Sequence, residues 1–158
     1  MAKNYWLMKS EPDVFSLEDL KNAPSQTTHW EGVRNYQARN FIRDGMKAGD
    51  LVLYYHSNCE SPGVAGIAEV CRTAYPDRTS WDPDSRYFDP KSTPDSPRWF
   101  MVDIKWHRSF QRVVTLDEMK ENPGLAGMRV IQRGQRLSVQ PVEQHHFDLV
   151  VKLGSTVE

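Results

Sequence analysis

Apolar positions in this chain come in short runs whose period changes every ten residues or so. Tyr5 to Met8 is an apolar run of strand length. It is closed by Lys9-Ser10-Glu11-Pro12, where the proline bars helical backbone at Glu11 and stops a ladder. Ser16 is placed to cap a short helix over Leu17 to Asn22, with Glu18 and Asp19 in the first turn where the macrodipole favours acids. Pro24 to Thr28 reads as a polar connection to Trp30. Ala38, Phe41, Ile42 and Met46 recur at three-to-four spacing, which predicts a helix over Tyr36 to Met46 capped by Asn35. Arg39, Arg43 and Lys47 follow each other at intervals of four and define a basic face on it.

Leu51 to His56 is a short apolar run suited to a central strand, and Val64 to Thr73 predicts the next strand after a loop over Asn58 to Pro62. Gly63 and Gly66 at its start imply close approach by another backbone or by a ligand. Phe100, Val102, Ile104 and Trp106 alternate with Met101, Asp103, Lys105 and His107, the pattern of a half-buried strand. Thr115-Leu116-Asp117-Glu118 is a capping box for a helix that must fail at Asn122-Pro123-Gly124. A strand is expected within Arg129 to Val139. A final helix is expected to begin at Pro141, bury Val142, Phe147, Val150 and Val151 on one face, and end at Gly154. No regular strand-helix alternation supports a doubly wound sheet. The order predicts an α+β fold, a small, strongly bent mixed sheet or open barrel with peripheral helices.

The 158 residues suffice for one domain, residues 1–158, with a core that needs neither disulfide nor metal. The two cysteines, Cys59 and Cys71, form no CxxC pair and read as reduced packing residues. No apolar run approaches membrane-spanning length and no signal-peptide core opens the chain, so an intracellular, cytoplasmic protein is expected, nucleoid-associated if the source is bacterial. A net charge of -1 excludes coating of nucleic acid by bulk electrostatics. The charge is nonetheless uneven. Arg34, Arg39, Arg43 and Lys47 cluster against Asp44 alone, and Arg129, Arg133 and Arg136 lie in a second segment without acids. Such segments hold one anionic ligand locally, or are solvated faces.

Catalytic and metal chemistry find little support. None of His29, His56, His107, His145 and His146 stands in an H-x-x-x-H pair, and the adjacent His145 and His146 should diverge on a helix. No nucleophile elbow or phosphate-binding glycine loop occurs. Cys59 and His56 lie three residues apart, an unusual spacing for a nucleophile and its base. No catalytic residue, metal or cofactor is assigned.

The richest segment is Trp30-Glu31-Gly32-Val33-Arg34-Asn35-Tyr36-Gln37-Ala38-Arg39-Asn40. It concentrates an indole, a phenol, guanidinia and carboxamides beside a helix start. Indole and phenol faces stack on bases, and Arg and Asn donate toward base edges or phosphates. The same aromatics would equally serve to cap a small core. The loop Tyr75 to Arg98 holds five of the ten prolines and also Trp81, Tyr87 and Phe88, which suits a lid or binding loop better than a solvated excursion.

Together with that segment, Tyr5-Trp6-Leu7-Met8-Lys9-Ser10-Glu11-Pro12, Lys47-Ala48-Gly49-Asp50 leading to Tyr54-Tyr55-His56-Ser57, Pro62-Gly63-Val64-Ala65-Gly66-Ile67-Ala68-Glu69-Val70 and Leu137-Ser138-Val139-Gln140-Pro141-Val142 resemble the EVE domain family across nearly the whole chain. The resemblance implies a PUA-like fold, a small bent β-barrel with peripheral helices, and kinship with YTH domains and RNA-binding PUA-like modules. It also implies reading of a modified base, a modified cytosine in DNA ahead of RNA, beside a protein partner in some cases.

A base reader needs an aromatic wall, a second wall or lid, and polar groups at the ring edge. Trp30 is the expected wall, with Tyr36, Tyr87 or Trp81 as the second. Lys9 and Ser10, and His56, Ser57 and Asn58, are expected to supply edge contacts from two strand ends. Arg34 and Asn35 would reach an edge or a phosphate, and Arg39 and Arg43 the backbone. Trp6, Trp99 and Trp106 are assigned to the core. Two other functions fit the residues: a hydrolase of nucleoside-like molecules using His56, or a protein-interaction module contacting through loop 75–98.

Overall fold

The computed structural model describes residues 3–134 and 137–155. Arg136, counted in the second basic segment, lies outside the described residues. Six strands form one sheet in the order β2-β5-β4-β3-β1-β6: β1 (Tyr5–Ser10), β2 (Thr27–His29), β3 (Leu51–His56), β4 (Gly63–Pro76), β5 (Phe100–Thr115) and β6 (Val139–Val142). Only β1 and β3 run parallel, and the other neighbours are antiparallel. The sheet is bent but not closed, with β2 and β6 at its edges. Four register shifts interrupt the β4–β5 pairing. Each leaves a residue unpaired and adds local twist, which is why strands this long curl instead of lying flat.

Period-two alternation sends side chains to two cores. Trp6, Met8, Val52, Tyr54, Ala68, Val70, Val102 and Ile104 face one side. There they meet α2 (Leu17–Lys21), through Leu17 and Leu20, and α3 (Tyr36–Asn40) with its wide π turn (Phe41–Gly45), through Ala38 and Ile42. Leu7, Leu53, Tyr55, Val64, Ile67 and Val114 face the other side, against α4 (Leu116–Glu121) and α5 (Gln144–Gly154), through Met119, Phe147 and Val150. A further short helix, α1 (Pro12–Phe15), buries none of its residues.

Most caps are where the sequence puts them. Ser16 and Asp19 form a capping box, as do Thr115 and Glu118, and the Asn35 side chain accepts from the Ala38 amide. Asp50 is buried and accepts from the Trp6 indole N–H at 3.0 Å and from the Asn4 and Lys47 amides, so it fixes the start of β1 against the turn into β3.

Four expectations need correction. Thr27–His29 is an edge strand, because an exposed β5 flank offers a ladder to a polar segment that shows no alternation of its own. Arg129–Ile131 is a 3-10 turn, and the strand expected before Val139 begins there instead. Pro141 does not open the last helix. It lies opposite Trp6 on edge strand β6, where an imino acid is tolerated, and α5 starts at Gln144 after Glu143. The helix expected to Met46 ends its α-helical part at Asn40, and Lys47 lies beyond the π turn, so Arg39, Arg43 and Lys47 share no helical face.

The glycine expectation resolves toward backbone. A Cβ on Gly66 would stand 2.3 Å from the Arg108 carbonyl oxygen, and one on Gly63 2.3 Å from that of Val114. Gly66→Ala should therefore force β4 and β5 apart and cost about 1–3 kcal/mol as an overpacked site, readable as a lowered urea midpoint with an unchanged slope.

Candidate functional site

A hollow of about 460 Å³ opens beside β1 and the chain that follows β2. Its lining brings together Ser10, Val14 and Phe15 from the first strand and α1, Trp30, Gly32 and Arg34 from the loop after β2, Tyr87 and Arg86 from the long loop, and Ser138 from the approach to β6. Trp30 is half-buried. Its ring packs on that of Tyr54 in a T-shaped pair, with centroids 5.7 Å apart and planes at 85°. Three of the five tryptophans spend their indole N–H inside the protein: Trp6 on Asp50, Trp99 on Asp89 and Trp106 on Ser109. The Trp30 N–H has no partner among the described residues. Trp30 thus packs against the core, lines the hollow and keeps an unspent donor.

Tyr87 brings the long loop into the same lining. Gly32 has φ +84°, a left-handed conformation natural to glycine, and a Cβ there would fall 2.6 Å from the Tyr87 ring. The missing side chain lets the phenol lie on the backbone. Arg86 donates to the Tyr87 hydroxyl at 2.6 Å and stacks over its ring at 4.8 Å. Lys9, Arg34 and Arg86 meet Glu11 and Glu31 around the hollow, a mixed rim. The Lys9 ammonium lies 5.8 Å from the Tyr55 ring centroid, and burial lowers its pKa.

Arg34 holds the two loops together. Its Nε and Nη2 donate to the Tyr87 carbonyl at 2.9 and 2.7 Å, Nη2 also to Thr79 Oγ1, and Nη1 to Asp77 Oδ2 at 3.1 Å and to the Val33 carbonyl. All five guanidinium protons are thereby engaged, so the edge or phosphate contact expected of Arg34 has no donor left to make it. Asp77, completely buried, also accepts from the Gly32 and Thr79 amides and the Thr79 hydroxyl. Desolvation pushes its carboxyl up, but the hydrogen bonds from Thr79, Gly32 and Arg34 outweigh this and leave its pKa lowered.

The end of β3 works from behind the wall. His56, Ser57 and Asn58 do not line the hollow. Instead His56 Nε2 accepts from the Leu17 amide at 3.1 Å, the Ser57 amide donates to the Ser10 carbonyl, and the Asn58 amide nitrogen donates to Glu11 at 2.6 Å. Ser10 Oγ and the Tyr54 hydroxyl both donate to the Phe15 carbonyl at 2.7 Å. Ser10 keeps lone pairs for a ligand, while Tyr54 is buried and its pKa is raised by desolvation.

The other expected contacts also lie elsewhere. Asn35 is spent as a helix cap. Tyr36 stacks on Trp99 with centroids 4.8 Å apart. Trp81 is half-buried in a 3-10 turn and does not line the hollow. Arg39, expected at the backbone, does not line the hollow and donates from Nη1 to the Arg98 carbonyl, whereas Arg43 is held bidentate by Asp44. Trp6 and Trp99 are buried, whereas Trp106 is only half-buried beneath the Lys21 ammonium. Sequence reasoning missed Asp77, Arg86, Val14 and Ser138. Asp77 had a local signal, the Asp-x-Thr pattern of a side-chain-capped turn; Ser138 had none, since β1–β6 pairing alone brings it near Lys9.

His145 and His146 do not diverge: their rings lie 4.1 Å apart, and donor atoms of Glu143, His145 and His146 fall within 4.8 Å of one another. They sit at the positive end of α5, which opposes a cation.

Two outcomes follow from the wall anchors. Asp77→Ala strands a part-buried guanidinium and should cost about 2–3 kcal/mol in chemical denaturation, less than a fully buried pair because Arg34 keeps some solvent contact. His56 must be neutral to accept from Leu17. Burial lowers its pKa, against a smaller opposing effect of Asp19. The unfolded chain therefore binds the proton first, so this contribution is complete above about pH 6.5 and is lost as pH falls toward the folded-state value. Melting temperatures between pH 8 and pH 5 should show this decline, and His56→Ala should flatten it.

Comparison with known proteins shows the family and the fold. The EVE domain model matches residues 4–153. Human thymocyte nuclear protein 1 is 44% identical, over 95% of this chain and 73% of its own length. A crystal structure of human THYN1 in complex with 5-methylcytosine-containing DNA superposes with a TM-score of 0.92 at 43% identity, covering 99% of this chain and 100% of that one. A Pseudomonas syringae protein of known structure matches at TM-score 0.89 and 46% identity, over 94% of this chain and 98% of that one.

Proposed function

The chain belongs to the EVE domain family, and from that premise we propose that it binds DNA carrying a modified cytosine and holds one base in the hollow between Trp30 and Tyr87. The observation that carries this reading is that the half-buried indole of Trp30 and the phenol of Tyr87 line one hollow with room for a nucleobase. A base stacked on Trp30 finds an acceptor in Ser10 Oγ and a charged rim. It must leave the duplex stack to reach them, as for other proteins that act on a single base. The relative THYN1, crystallised with 5-methylcytosine DNA, supports the choice of ligand.

Magnitudes set what to expect. Stacking on an aromatic side chain contributes about 1–3 kcal/mol per base, and an enclosed methyl about 0.8 kcal/mol, roughly fourfold in affinity. Preference for the methylated base should therefore be modest, with most of the affinity common to both forms. His56 is no candidate acid or base for chemistry in this hollow, since its Nε2 faces the Leu17 amide outside it. Contact with a protein through loop 75–98 has less support, because the Tyr87 carbonyl is clamped by Arg34 and the loop forms the pocket's side.

The test is fluorescence anisotropy with oligonucleotides that differ only in one 5-methylcytosine. The native chain should bind the methylated strand severalfold more tightly. Trp30→Ala and Tyr87→Ala should each weaken binding about 5- to 100-fold and remove the preference. Trp30 also packs on the core, so Trp30→Ala should cost about 1–3 kcal/mol of stability. Trp30→Phe retains a ring and separates stacking from the indole N–H. Equal affinity of the native chain for both strands would sink the reading.

A further inference from the structure

Guanidinia and aromatic rings alternate in a continuous stack that begins at the hollow and ends on the surface outside it. Arg86 lies over Tyr87 at 4.8 Å, and Arg34 lies between Tyr87 at 5.6 Å and Trp99 at 5.4 Å. Trp99 stacks on Tyr36 at 4.8 Å with planes 23° apart, and Arg39 lies over Tyr36 at 4.8 Å. Arg98 donates to the Tyr36 hydroxyl at 3.2 Å, and its carbonyl accepts from Arg39. Tyr36 is 50% exposed, while Trp99 beneath it is 4% exposed. The outer end of the stack is thus an accessible phenol between two guanidinia, supported on a buried indole.

How these cations are held matters more than their number. Arg34, Arg43 and Arg112 are each paired with a carboxylate, Asp77, Asp44 and Glu118. Arg39 and Arg98 make no ion pair among the described residues; Arg39 is ordered by the Tyr36 ring, the Arg98 carbonyl and the Asn40 side chain, and Arg98 by the Tyr36 hydroxyl. Asp89, which lies close enough for Arg98 to lower its pKa, is engaged by the Trp99 indole N–H and the Lys91 amide. Asp44, which also senses Arg39, is engaged by Arg43. A guanidinium on an aromatic face keeps its full charge and leaves its edge N–H groups pointing outward. The Nη2 groups of Arg39 and Arg98 have no protein partner among the described residues.

We propose that Arg39 and Arg98, set about the exposed ring of Tyr36, form a phosphodiester-binding site for the nucleic-acid backbone flanking the base held between Trp30 and Tyr87. The proposal rests on that reading of the hollow. The stack joins the two sites through Arg34 and Trp99, so backbone and base are held by one rigid unit. Phosphate contacts position without reading sequence. This site therefore supplies affinity common to modified and unmodified strands, while the hollow supplies the preference.

The experiment measures binding of a single-stranded oligonucleotide, with and without one 5-methylcytosine, across a series of salt concentrations. Arg39→Gln and Arg98→Gln should each lower affinity severalfold for both strands alike. Each should also reduce the slope of log affinity against log salt by about 0.7, leaving the ratio between strands unchanged. Arg39→Glu should weaken binding further. Arg108→Gln removes the same charge from a residue bonded to Ser155 beside α5 and should change neither quantity. Melting temperatures close to native confirm that the variants remain folded.

An unchanged salt slope in the Arg39→Gln/Arg98→Gln double variant overturns the proposal, even if Trp30→Ala still abolishes the preference. A reduced slope in that variant, with a native chain indifferent to methylation, keeps the phosphodiester site and removes the base pocket. Loss of preference in the double variant with the slope intact would place these residues in base reading and also overturn the assignment.

Discussion

The buried carboxylate of Asp77 and the guanidinium of Arg34 tie together two segments that lie far apart along the chain. One carries Trp30 and the other carries Tyr87, and they are separated by more than fifty residues and by the whole of β3 and β4. Asp77 has no solvent contact and accepts four hydrogen bonds, from Gly32, Arg34 and twice from Thr79. Arg34 spends every proton on the same two loops. A buried charge pair is a poor source of net stability, because desolvation offsets the attraction. Its value here is geometric: a planar fork with five satisfied donors admits one arrangement, and that arrangement fixes the width of the hollow.

A second constraint comes from the parallel pairing of β1 and β3. Parallel strands end at the same edge, so Ser10 and His56 stand side by side. The residues that follow β3 then reach across to the segment that follows β1. His56 takes the Leu17 amide, Ser57 the Ser10 carbonyl, and Asn58 the Glu11 carboxylate. This wall includes α1, a single turn that buries nothing and would not persist alone. It is held by hydrogen bonds from the sheet rather than by a core of its own. Polar residues at a strand end can therefore shape a binding site without touching its contents.

The aromatic side chains divide along similar lines. Trp6, Trp99 and Trp106 satisfy their indole N–H groups within the protein and act as packing. Trp30 packs on Tyr54, lines the hollow and leaves its donor unspent. Tyr36, close to Trp30 in sequence, belongs instead to a stack on Trp99 that carries guanidinia outward. One eleven-residue segment thus contributes to the hollow, to its scaffold and to the flanking surface. Its dense mixture of rings and planar donors reflects three jobs, not one crowded site.

The sequence by itself determined the elements that local chemistry controls. The capping residues Ser16, Asn35 and Thr115, the apolar run of β3 and the alternation of early β5 were legible because each depends on neighbours within a few positions. Trp30 stood out by composition, and Tyr87 by being aromatic in a long proline-rich loop. What only the tertiary structure decided was pairing at a distance. Thr27–His29 and Val139–Val142 are strands because β5 and β1 offer them ladders; their β-branched residues suit a strand, but segments this short carry no alternation to mark one. The same holds for His56, Asn58 and Arg34, whose side chains suit a ligand and a protein partner equally well. A polar group's role depends on which acceptor or donor the fold brings within 3 Å, and spacing along a chain does not encode that.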